Sequence, residues 1–85
     1  MDIKNADFDG KVVSFGSVDD TLAIKNIRFE YQNDRLFVLG IVPEGATDND
    51  WAVNRPCAIA WDSVTDYMIF DSEAQYVELM AKTNK

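Results

Sequence analysis

Carboxylates are the side chains in this sequence best placed to do acid–base chemistry. They crowd together at Asp7/Asp9, Asp19/Asp20, Asp48/Asp50 and Asp62/Asp66/Asp71. A pair of carboxylates can hydrolyse a glycoside, one as general acid and the other as base or nucleophile. That reaction needs a cleft wide enough for a sugar, and a chain of 85 residues is a poor host for one. The same acids, set at turns and strand ends, serve simply to keep those segments in water. Histidine is absent, which removes the commonest general base and both the Ser-His and Cys-His arrangements. A single cysteine, Cys57, excludes a four-cysteine zinc site and a Cys-x-x-Cys redox pair. Neither glycine-rich phosphate-binding motif is present. The sequence therefore predicts no catalytic residue, no metal site and no cofactor.

Two further chemistries can be weighed on spacing. Thr47-Asp48-Asn49-Asp50 has the look of an EF-hand opening, but the Gly and Glu needed at the sixth and twelfth loop positions are missing. Asp7-Phe8-Asp9-Gly10 fails the same test, so both read as turns. Cys57 lies in an apolar run with Ile59 and Trp61, where a thiol behaves as a small hydrophobe. Activating it would take nearby positive charge, and only Arg55 is close in sequence.

Trp51 carries more information. It lies in a polar stretch between Asp50 and Ala52, where burial is not assured. Three roles suit it: a cover over one end of a small core, an anchor at a protein interface together with Arg55, or an aromatic wall for a cationic ligand beside Asp48 and Asp50. A pocket for a cationic or apolar compound would draw on Trp51, Trp61 and Tyr67 together.

The elements that must position these residues follow from composition and pattern. With 47% hydrophobic and 12% aromatic residues, the chain is globular, and 85 residues make one domain, 1–85. A domain this small has a modest core and gains stability by pairing with a second copy as a homodimer. The lone cysteine suits a reducing compartment. No apolar run is long enough to span a membrane, and Met1-Asp2-Ile3-Lys4-Asn5 does not open a signal peptide, so a cytoplasmic location is expected.

Charge is uneven along the chain. The formal net charge is −7. Residues 1–42 are close to balanced, whereas residues 43–81 hold eight acids and only Arg55 as a base. The basic residues are scattered, so nucleic acid is not an expected partner.

Hydrophobic pattern divides the chain into strands and one helix. Lys11–Val18 reads as a first strand, entered by the turn Asp9-Gly10 and left by Asp19-Asp20. A second strand runs from about Thr21 to Tyr31. Its apolar residues fall on even positions at Leu22 and Ile24, then on odd ones at Ile27, Phe29 and Tyr31, which requires a bulge near Lys25-Asn26. Asn33-Asp34 joins it in a hairpin to Arg35–Val42, which is apolar on both sides and reads as a central strand. Pro43 to Pro56 is a loop. Cys57–Trp61 then alternates with Cys57, Ile59 and Trp61 on one face. Asp62–Thr65 is read as a hairpin turn into a strand Asp66–Phe70, in preference to a helical turn. Ser72 and Gln75 form a capping box for a helix from about Glu73 to Lys82.

The expected fold is α+β: a curved antiparallel sheet of four to five strands, or a partly open barrel, with one C-terminal helix packed on it. In size, acidity and lack of catalytic residues the chain is similar to small accessory and immunity proteins of bacteria, their mobile elements and phages. The expected function is a non-enzymatic interaction domain whose acidic second half faces a protein partner, a basic one by charge. The alternative is a small-ligand-binding domain. The candidate residues are Trp51, Arg55, Asp48, Asp50, Trp61 and Tyr67.

Overall fold

The computed structural model describes residues 8–18 and 20–83. The expected turn acids Asp7 and Asp19 and the segment Met1–Asn5 lie outside the described residues. Among the described residues there are five strands: β1 (Val12–Gly16), β2 (Thr21–Gln32), β3 (Arg35–Ile41), β4 (Pro56–Ala60) and β5 (Asp66–Phe70). One helix follows, α1 (Glu73–Thr83). The sheet is antiparallel throughout, in the order β4-β3-β2-β1-β5. It is curved but open, because its two edge strands, β4 and β5, are not paired with each other. This is the α+β arrangement that the sequence pattern predicts.

The bend originates in β2. Its pairing with β3 shifts between Lys25 and Arg28, and Asn26 adopts a left-handed φ of 54°. Before the bulge Leu22 and Ile24 point to the concave face. After it Ile27 and Phe29 do so, which is the change of phase read from the sequence. Gly40 sits opposite this kink. A Cβ there would collide with the Ile24 side chain and the Lys25 carbonyl, so only glycine lets β3 approach the bent strand. The β2–β3 hairpin closes through Asn33 and Asp34, with φ of 53° and 64°. Two consecutive left-handed residues suit the right-handed twist of the flanking strands.

Two apolar layers result. On the concave face Phe8, Val13, Phe15, Ile24 and Val38 are buried, with Phe29, Cys57, Ile59 and Trp61 packed around them. Rings interlock here edge to face: Phe8 on Phe15 at 5.7 Å and Phe29 on Trp61 at 5.4 Å between centroids. On the opposite face α1 covers Val12 and Ala23 through Tyr76 and Met80, and Tyr76 meets Phe70 edge to face at 5.1 Å. The helix starts where the capping residues indicate. Ser72 Oγ accepts the Gln75 amide (3.1 Å), and Gln75 Oε1 accepts the amide of Asp71 (2.7 Å).

Two expectations need correction. Asp62–Thr65 is not a hairpin turn: a 3-10 turn over Trp61–Ser63 carries the chain from one edge of the sheet to the other, where β5 pairs with β1. And β3 is not covered on both sides. Val38 and Gly40 are buried, but Phe37, Leu39 and Ile41 on the other face are only half-buried. An 11-residue helix is about 16 Å long, and it covers the β1 side of the sheet, leaving this face of β3 partly open.

Candidate functional site

The loop between β3 and β4 forms one wall of a groove with a volume of about 930 Å³. Its other wall is Asp20 with the start of β2, Thr21 to Ala23, and Cys57 near the start of β4 also lines it. β3 ends at Ile41, opposite Lys25, so the first residues of β2 have no neighbour on that side. That missing neighbour is what opens the groove.

The loop is held by its own backbone. At its base Val42 donates to the Arg55 carbonyl and accepts from the Asn54 amide, both at 2.9 Å. Inside it, Asp50 Oδ1 accepts the Gly45 amide (2.8 Å) and Thr47 Oγ1 accepts the Ala52 amide (3.2 Å). Gly45, Asn49, Asp50 and Asn54 all take left-handed φ, and Asx and Gly residues adopt that conformation most readily. A short 3-10 turn over Asp48–Asp50 delivers Trp51 to the rim.

Trp51 is 76% exposed, although Ala52 beside it is buried. The role of core cover is thereby ruled out. Trp51, Asp48 and Arg55 line the groove together, with Asp20 on the opposite wall. Asp50 turns inward to the Gly45 amide and lines a smaller depression next to Met80. Trp61 and Tyr67 are elsewhere. Their rings lie 6.4 Å apart in the concave aromatic cluster, at a separate shallow depression between the 3-10 turn and β5. The three aromatics thus line two grooves and do not surround one. Among the described residues no group of three or more Cys, Asp or Glu is placed to hold a metal ion.

No family model, curated protein or solved structure matches the chain.

The charge distribution looks different in three dimensions. Four of the eight acids in residues 43–81 are ion-paired to bases outside that segment: Asp62 to Arg35, Asp71 to Lys11, Glu73 to Lys25 and Glu78 to Lys82. Arg35 binds Asp62 through Nε and Nη2, a fork geometry that raises its already high pKa through that hydrogen bond and the opposite charge. Of the four that remain, Asp48 lines the groove, Glu44 and Asp50 lie on the same loop, and Asp66 stands apart at the start of β5. Burial pushes the Cys57 thiol up, which favours its neutral form. Among the described residues no helix is long and apolar enough to cross a membrane.

Sequence reasoning missed Asp20 as a groove residue. Its neighbourhood depends on β3 ending early, which no local pattern in Asp19–Ala23 announces. Its signal, an acid directly preceding a strand, is common to many turns.

Proposed function

We propose that the protein is a non-enzymatic interaction domain that docks a basic segment of a protein partner in the groove beneath Trp51. The observation that carries this reading is the exposure of Trp51 on a loop fixed by its own hydrogen bonds. A large aromatic held out in water by a preorganised backbone loses little freedom on binding and is the residue type most enriched at interface hot spots. Asp48 on the same loop and Asp20 on the opposite wall complement a Lys or Arg side chain, which can also lie over the indole face. Arg55 on the same rim would pair with a carboxylate or carbonyl of the partner.

The test uses a Trp61→Phe background, so that Trp51 is the sole indole. Its fluorescence is titrated with Arg- and Lys-containing peptides, with neutral and acidic peptides as controls. The expected result is a response to the basic peptides that weakens with salt and disappears in Asp48→Asn, with binding by a second probe lost in Trp51→Ala. Equal response to all peptides, or full binding by Trp51→Ala, overturns the proposal.

A second reading is favoured by the groove's volume, which lies in the range of small-molecule sites. A free aromatic or quaternary amine that binds as tightly as the best peptide supports that reading instead.

A further inference from the structure

The free edge of β5 lies well away from the loop groove and has a different character. Among the described residues β5 pairs with β1 on one side only, so its other edge presents amide and carbonyl groups that no described strand pairs. Its central residues are apolar and exposed: Tyr67 at 40%, Met68 at 64% and Ile69 at 48%. Natural edge strands are usually shielded by lysine, proline or a bulge. Asp66–Phe70 contains none of these and keeps an unbroken register with β1. The opposite edge, β4, by contrast opens with Pro56.

We infer that the β5 edge pairs with the β5 edge of a second copy of this chain, joining two five-stranded sheets across a two-fold axis. The segment is complementary to itself in one antiparallel register, centred on Met68. There Met68 faces its own copy, Tyr67 faces Ile69 of the other chain, and Asp66 faces Phe70. No carboxylate stands opposite another, so the like-charge repulsion that disfavours cross-strand pairs is avoided. Tyr67 already packs on Phe8 at 5.4 Å and on Phe15 at 6.1 Å, so an Ile69 laid against it extends the concave core across the axis. The exposed parts of the three side chains amount to on the order of 100 Å² each, by comparison with a whole aromatic. Both copies together bury roughly 600 Å² of side chain, below the size of a standard stable interface. The dimer is therefore weak and reversible, and since each copy carries net −7, it tightens as salt screens the repulsion.

That salt response is opposite to the one expected for a basic segment under Trp51, which separates the two proposals. Sedimentation equilibrium of the full chain from micromolar to millimolar concentration, at low and high salt, should show a dimer that strengthens with salt. Met68→Lys should weaken it about tenfold or more with an unchanged circular dichroism spectrum. Val18→Lys, which removes a still more exposed apolar residue elsewhere, should leave it intact. In a Cys57→Ala background, Met68→Cys should cross-link to a covalent dimer on oxidation, because paired strands bring facing Cα atoms to about 4.5–5.5 Å. A monomer at every concentration, or a dimer indifferent to Met68→Lys, overturns the inference and assigns the edge to another partner or to none.

Discussion

Lys25 and Glu73, 48 residues apart, meet through two hydrogen bonds of 3.0 and 2.9 Å. Glu73 Oε2 also accepts the Glu44 amide at 2.9 Å. One carboxylate thus joins the strand just before its bulge, the first turn of α1 and the start of the groove loop. The Glu44 amide, then the Lys25 ammonium, hold the Glu73 carboxyl below its ordinary value of 4.5. The helix N-terminus favours the same negative charge.

A carboxyl depressed in the folded state contributes stability above its unfolded value and loses it as pH falls through the folded one. Glu73→Gln should therefore cost about 1 kcal/mol at pH 7, a figure already reduced for its partial exposure. The gap between Glu73→Gln and the parent should close as pH drops below the ordinary carboxylate range. Urea denaturation of both proteins across acid pH checks this.

Gly40→Ala places a methyl group on the Ile24 side chain and the Lys25 carbonyl. The backbone cannot yield without disturbing the bulge. A loss of about 2–3 kcal/mol is expected, visible as a fall in Tm of roughly 10–20 °C for a domain of this size.

Asp34 holds a φ of 64° at the second turn position of the β2–β3 hairpin. Asp34→Gly should be neutral or stabilising by up to about 0.5 kcal/mol, since Asn-Gly is the favoured pair there. Asp34→Val should destabilise by about 1–2 kcal/mol, because a branched side chain clashes in that conformation. Thermal melts of the two variants, run together, should move in opposite directions or at least differ by that amount.

Ser72→Ala removes the acceptor for the Gln75 amide and should cost about 1 kcal/mol. Amide hydrogen exchange should locate the loss in the first turn of α1, with β1 and β2 protected as before.

Much of the fold was legible because its signals are local. The even-to-odd switch from Ile24 to Ile27 marked the bulge, Asn33-Asp34 marked the hairpin, and Ser72 with Gln75 marked the helix start. The path from Trp61 to Asp66 was not legible. A hairpin is a local event, whereas pairing of β5 with β1 is decided by Tyr67, Met68 and Ile69 finding Phe15, Ser14 and Val13 some fifty residues earlier. The candidate site was legible in part. Trp51, Asp48 and Arg55 do share one groove, but Trp61 on the 3-10 turn and Tyr67 on β5 meet each other in the aromatic cluster of the concave face instead. Charge counted along the chain likewise overstated the acidity of residues 43–81, since their partners at Lys11, Lys25 and Arg35 come from the other half of the sequence.

The bulge at Asn26 also sets how the molecule tolerates change. Substitutions along β2 alter one side chain at a time. Removing Asn26 would take out the extra residue and with it the bend, leaving Leu22, Ile24, Ile27 and Phe29 in one unbroken alternation, whereas inserting one residue beside it would turn Ile27 and Phe29 outward and carry Arg28 and Glu30 into the aromatic core. A single-residue insertion there should cost more than any substitution in the strand. Variants of this protein with length changes should therefore keep them to the 43–55 loop and spare β2.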